Sequence, residues 1–214
     1  MQTFFLLFFL TQIFGIAKAA ELSIELRTMD NQAMQNAVIY LTPLNSQATS
    51  EPQTVAVMDQ IDRQYSPHVL VVQKNAQVRF PNSDSIKHHV YSFSAAKKFE
   101  LQLYRGLDAN PLRFATTGVV ELGCNIHDWM LGYILVVDTP YFAKTNIAGQ
   151  LSFALPDGEY RLNIWHPRIV QTSVSLEHTV LVKGDNKITL RLEEPLLPDV
   201  NQYETVPTDV SEYE

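Results

Sequence analysis

Apolar residues recur at every second position through most of this chain, in short runs cut by turn residues. Leu22, Ile24 and Leu26 alternate with polar neighbours, and 37–41 is a run rich in β-branched and aromatic residues. Successive side chains of a strand point to opposite faces, so a period of two gives one buried face and one wet face. Comparable runs lie at 69–72, 78–80, 90–93, 99–104, 119–122, 133–137, 151–155, 160–165, 174–176, 180–182 and 188–192. Lys74-Asn75-Ala76, between two of them, reads as a hairpin turn. Helical periodicity is scarce. The pattern predicts an all-β architecture of about a dozen strands.

The two ends of the chain read differently. From Phe4 to Ile16 the sequence is almost uninterrupted hydrophobe, ending at Ala17-Lys18-Ala19 before Ala20. Such a run with a small-x-small site reads as a secretory signal peptide over 1–19, which places the mature chain in the periplasm or outside the cell. An uncleaved anchor is the alternative, although the run falls short of the roughly 20 apolar residues of a bilayer span. No second such run follows, so no stable membrane span is expected after cleavage. At the other end, residues 193–214 hold seven acids, three prolines and no Lys or Arg, and read as a disordered acidic tail. The net charge of −7 resides there, because the remaining acids match the sixteen bases. No basic field exists to engage phosphates, which argues against a nucleic-acid partner.

Cys124 is the single cysteine of a chain expected to be exported, where cysteines usually pair as disulfides. A lone one is a free thiol, an intermolecular bridge or a metal ligand. Its neighbours point to the last. Cys124-Asn125-Ile126-His127-Asp128-Trp129-Met130 places a thiol, an imidazole and a thioether within seven residues, and His88-His89 lies upstream. Thiolate and thioether are soft donors. Two His and one Cys with a weak axial Met form the electron-transfer copper arrangement. Zinc takes four stronger ligands, and a thioether serves it poorly. Taken singly, each residue also has a bland reading: a buried free Cys, a hydrogen-bonded His, a core Met. Their joint spacing sets them apart. His166 in Trp165-His166-Pro167 reads as a capping or packing residue. His68 reads as exposed and His178 as part of a turn. No nucleophile elbow, phosphate loop or paired carboxylate is visible.

The run Cys124-x-x-His127-x-x-Met130 resembles the ligand loop of the cupredoxins, the family of plastocyanin, pseudoazurin and amicyanin. The spacing is amicyanin's. The preceding Gly118-Val119-Val120-Glu121-Leu122-Gly123 is similar to the family's G-x-Y-x-x-x-C strand, with Val120 at the aromatic position. Met130-Leu131-Gly132-Tyr133-Ile134-Leu135-Val136 resembles M-x-G-x-I-x-V. The stretches HHVYSFS and CNIHDWM are most similar to cupredoxins of the methylamine-utilisation type. The upstream ligand of the family sits six residues after an Asn at a strand end, and counting from Asn82 gives His88. A second count, an aromatic four residues after the ligand, gives His89 through Phe93. Departures occur at Ile126, where the family often has Pro, and at His89, where it usually has Asn. The resemblance implies a Greek-key β-sandwich over 53–138 and one copper ion cycling between Cu(I) and Cu(II). His88, Cys124, His127 and Met130 are its implied ligands, with His89 as the alternative to His88. It further implies electron transfer to a redox partner protein through the edge of His127, beside a rim of Trp129 and Leu131. Four protein ligands leave no open coordination position, so an enzyme is not expected. A copper-handling module, or an envelope-interaction protein without a redox partner, is the alternative.

Two further stretches resemble pieces of carboxypeptidase-regulatory-like β-sandwiches. Asp30-Asn31-Gln32-Ala33-Met34-Gln35-Asn36-Ala37-Val38 is similar to that module's first hairpin, with Asn31 at a turn Gly. Thr145-Asn146-Ile147-Ala148-Gly149-Gln150-Leu151 and Pro156-Asp157-Gly158-Glu159-Tyr160-Arg161-Leu162 resemble its later turn and strand entry. Their separation implies an outer sandwich built from 20–52 and 139–192, with the copper domain of 53–138 inserted between its strands. Two β domains in series are the alternative arrangement.

Overall fold

The computed structural model describes residues 19–45, 55–106, 110–170 and 176–199. The expected signal peptide and the part of the tail from 200 onward lie outside the described residues, apart from Ala19. No helix among the described residues is long and apolar enough to cross a membrane. The fold is all-β. Its strands are β1 (Ala20–Arg27), β2 (Val38–Pro43), β3 (Ala56–Val57), β4 (Asp59–Ile61), β5 (Gln64–Ser66), β6 (Val69–Gln73), β7 (Gln77–Arg79), β8 (His88–Ser92), β9 (Phe99–Tyr104), β10 (Leu112–Arg113), β11 (Gly118–Cys124), β12 (His127–Val137), β13 (Phe142–Lys144), β14 (Gln150–Leu155), β15 (Gly158–Trp165), β16 (Glu177–Val182) and β17 (Asn186–Arg191).

The strands form two packed bodies. In one, the sheet β14-β1-β17 faces the sheet β13-β2-β15-β16. Leu22, Ile24 and Leu26 on β1 share a core with Ile39, Leu41, Leu162 and Ile164 from the opposite sheet. Thr145 stitches distant parts of the chain together here. Its buried hydroxyl donates to the carbonyl of Met34 at 2.6 Å and accepts from the amide of Ala37 at 3.0 Å. Asn31 takes a left-handed backbone with φ of 63°, as a turn residue in place of Gly must. Gly149, at φ 74°, has no room for a side chain, because a Cβ would lie 2.5 Å from the Leu26 carbonyl.

In the other body the sheet β6-β12-β11-β8-β9 packs over β10-β7-β3, with the β4-β5 hairpin at one end. Phe80, Phe114, Val120, Leu122, Met130 and Ile134 are wholly or almost wholly buried between them. The turn at Asn75 does not close a hairpin as its sequence suggested: β6 and β7 belong to different sheets. Its backbone groups serve both layers. The amide of Lys74 bonds to the Val137 carbonyl and that of Asn75 to the Phe114 carbonyl, so the chain crosses from one sheet to the other.

The bodies meet along a third apolar cluster of Val38, Val69, Leu135, Val137 and Trp165. β12 explains why 133–137 is a continuous apolar run. Ile134 and Val136 face the core of their own body, while Leu135 and Val137 face the other body. A strand buried on both faces loses its polar alternation. The chain leaves and re-enters the first body at adjacent points: the Leu41 amide bonds to the Tyr141 carbonyl at 2.8 Å, and the Thr139 hydroxyl donates to the Leu41 carbonyl at 2.6 Å.

Residues 193–199, expected to be disordered, are docked instead. Leu196 packs on the first core. The Leu197 amide donates to the Arg168 carbonyl at 2.8 Å, and Arg168 Nε returns a bond to the Leu197 carbonyl at 2.7 Å. The acidic composition concealed Leu196, which finds an apolar ledge, and the backbone of Leu197, which pairs with Arg168.

Candidate metal centre

β11 ends at Cys124, the chain turns through Asn125 and Ile126, and β12 begins at His127. Cys124 and His127 are opposed in the antiparallel ladder, so both side chains leave the same face. Between the pairs Leu122–Gly132 and Cys124–His127, β12 spends five residues where β11 spends two. This bulge breaks the strict alternation and lets Met130 bury beside Cys124 in the same core. Two glycines flank the loop because aromatic rings occupy their side-chain space. A Cβ on Gly132 would lie 2.7 Å from Tyr65, and one on Gly123 would lie 2.6 Å from the Tyr91 ring. The Tyr65 hydroxyl donates to the Gly123 carbonyl at 2.8 Å, so one side chain braces both strands of the loop. Burial, followed by the nearby Cys124, pushes the Tyr65 phenol far above its ordinary range, which keeps it a donor.

β8 supplies His88, which is fully buried. Its Nδ1 lies 3.9 Å from Cys124 Sγ, and His127 Nδ1 lies 3.8 Å from the same sulfur. The ring centroids of the two histidines are 4.9 Å apart. One ligand atom from each of His88, Cys124 and His127 falls within 4.8 Å of the other two. Metal–sulfur and metal–nitrogen bonds of about 2.3 and 2.05 Å at a trigonal angle span about 3.8 Å, against about 3.6 Å at a tetrahedral one. The observed separations are of the size that one ion held by all three donors requires, and the soft sulfur among them fits copper.

Asp84 stands behind His88. Its Oδ2 is 2.9 Å from His88 Nε2. Burial opposes ionisation of this carboxyl, but hydrogen bonds from His88, Arg63 and Ser85 together outweigh it and hold the pKa below the usual range. Asn82 shapes the loop, donating from Nδ2 to the carbonyls of Ile86 and Tyr104. His127 is only partly buried. Desolvation, then the proximity of His88 and Arg63, lowers its pKa and favours the neutral imidazole.

His89 lies outside this cluster. Its Nε2 pairs with Glu100 Oε1 at 2.9 Å, and its ring packs against Tyr91. His68 is half-buried, edge-on to Tyr133, rather than exposed. Its pKa is lowered first by desolvation. His166 accepts the Arg168 amide on Nδ1. His178 lies in β16, paired with Leu162, and not in a turn. Ile126 and Trp129 are exposed at the loop, and the Trp129 ring sits 5.4 Å from that of His127. Asp84 and Tyr65 escaped sequence reasoning. The signal for Tyr65 was present in Gly123 and Gly132, since glycine inside a strand marks a close approach.

No protein-family model matches the chain, and no curated protein matches it. Solved structures with a similar fold include a purple cupredoxin from Nitrosopumilus maritimus, 24% identical at a TM-score of 0.34, over 38% of this chain and 98% of that one. A reduced amicyanin variant is 20% identical at a TM-score of 0.35, over 45% of this chain and 98% of its own. A copper-containing nitrite reductase from Thermus scotoductus SA-01 is 19% identical at a TM-score of 0.37. That match spans 44% of this chain and only a quarter of the reductase (25%).

Proposed function

We propose that this chain is a mononuclear, type 1 copper protein that transfers electrons outside the cytoplasm, with one copper held by His88, Cys124, His127 and Met130. The observation that carries this reading is the convergence of His88 Nδ1 and His127 Nδ1 on Cys124 Sγ at 3.9 and 3.8 Å. When bound, copper supplies a one-electron couple between Cu(I) and Cu(II). The chain's own contribution is to hold the donors still. His88, Cys124 and Met130 sit in a packed interior where side chains have little freedom to rearrange. A site that changes shape little between oxidation states suits electron transfer rather than bond making.

His127 reaches the surface between Ile126 and Trp129. An apolar rim around a partly exposed ligand fits transient docking of a redox partner protein. Four protein donors leave no position for a substrate, which supports a carrier over an enzyme. Export rests on the apolar stretch from Phe4 to Ile16, and the N-terminal sequence of the mature protein should begin at Ala20.

Voltammetry of the copper-loaded full chain tests the carrier reading. The expected result is a reversible one-electron wave. A copper complex that cannot be reversibly reduced contradicts electron transfer and favours copper handling.

A further inference from the structure

We infer that Asp84 is a positioning residue of the metal centre, presenting the Nδ1 lone pair of His88 to the site and biasing it toward the more highly charged metal ion. The redox half of this inference rests on the copper reading. The positioning half stands on the protein alone.

The Asp84 carboxylate is itself held at both oxygens. Oδ1 accepts the Ser85 amide at 3.0 Å, while Oδ2 accepts the Arg63 amide at 2.8 Å and meets His88 Nε2 at 2.9 Å. The Asp84 amide in turn donates to Asn82 Oδ1 at 3.0 Å. Its side chain is 12% exposed, against 56% for Glu100 beside His89, so only the first pair is shielded from water.

The β4-β5 hairpin is built around this contact. Its turn residues Asp62 and Arg63 both adopt left-handed backbone, at φ 52° and 60°, where Asn-Gly is the usual choice. Non-glycine residues enter that region at a cost of order 1 kcal/mol each. This turn delivers the Arg63 amide to Asp84. Asp59, at the start of the hairpin, takes the Ser83 hydroxyl at 2.8 Å and ties the neighbouring residue down as well.

An ionised carboxylate only accepts hydrogen bonds, so Nε2 of His88 must carry the ring proton. The neutral ring then has its lone pair on Nδ1, the atom facing Cys124. A carboxylate on the far nitrogen also makes the near one a stronger donor. It stabilises Cu(II) over Cu(I), because the added negative charge interacts more strongly with the doubly charged ion.

The test uses the full chain and has a metal-free arm. Long-range nitrogen–proton NMR of His88 in the metal-free protein should show a proton on Nε2 and none on Nδ1. In Asp84→Ala the tautomers should mix. In the copper-loaded protein, Asp84→Asn keeps a hydrogen-bond acceptor but removes the charge. It should weaken Cu(II) about tenfold more than Cu(I), read as a rise in potential of about 59 mV. Glu100→Gln removes the exposed charge beside His89, outside the cluster, and leaves the potential in place. A proton on Nδ1 in the wild type overturns the inference, as does an unchanged potential in Asp84→Asn. A wild type with the Nε2–H tautomer but no thiolate–copper colour supports the positioning role and refutes the copper reading alone.

Discussion

His88 and His89 are adjacent in sequence and have different partners in space. One ring joins Asp84 and Cys124, and the other joins Glu100 and Tyr91. His88→Ala should therefore abolish the coloured copper site, whereas His89→Asn should keep it. The visible spectra of the two variants check this, and the reverse pattern would exchange the ligand assignment. His166 makes a separate prediction. Burial first, then the charge of Arg168 and the proximity of His68, lowers its pKa to about 4. A base that must stay neutral to fold contributes stability that is whole above about pH 6.5 and is lost as pH falls toward 4. Acidification adds a proton that the native state resists, and Nδ1 already accepts the Arg168 amide. His166→Asn keeps that acceptor without the titration. Between pH 7 and 4.5 it should lose about 1–2 kcal/mol less stability than wild type in urea unfolding, after discounting for partial exposure. Cys124 and His127 were legible as a pair because one short loop carries both, and the structure brings His88 to them. Asp84 was not, because its role depends on a hairpin that begins more than twenty residues earlier.

Strand β12 runs from the metal loop to the contact between the bodies, so its glycine is a sensitive position. Gly132→Ala would drive a methyl into Tyr65, displace the brace on Gly123 and cost about 1–3 kcal/mol. Chemical unfolding reads the loss, and a broadened copper band would report the disturbed loop. The docked segment gives the second prediction at this scale. Truncation after Glu194 removes both Leu197–Arg168 bonds and the packing of Leu196. That should cost about 2 kcal/mol and lower Tm by several degrees. An unchanged Tm would show that 195–199 contributes nothing. Alternation made the strands readable, but it could not reveal which sheet each one joins. The turn at Asn75 shows the gap: its residues suit positive φ, and φ is 74°, yet the hydrogen bonds of Lys74 and Asn75 go to distant strands. Composition likewise misled over 193–199, where Leu196 packs on the core and Arg168 holds the Leu197 backbone and Asp199.

At the scale of the molecule, the two bodies are joined by apolar contact as well as by the chain. Joining Leu44 to Tyr141 through a short Gly/Ser bridge should leave the first body folded, because Leu41 and Tyr141 are already hydrogen-bonded. Hydrogen-exchange protection at 38–40 in the bridged protein checks this, and unprotected amides there would refute it. The excised piece 55–138 should still bind copper. It would also expose Val69, Leu135 and Val137, so it should self-associate in sedimentation more strongly than the full chain. The contact was half-visible in sequence, since 133–137 lacks polar alternation, but nothing local named Trp165 and Val38 as its partners. This architecture brings three donors, His88, Cys124 and His127, together at one point, and the proposal is that they hold copper through the thiolate. Titration of the full chain with Cu(II), followed by visible absorption, is the decisive measurement. An intense thiolate-to-copper band should appear, saturate at one equivalent and vanish in Cys124→Ser. A colourless complex, or a band that survives Cys124→Ser, would contradict it.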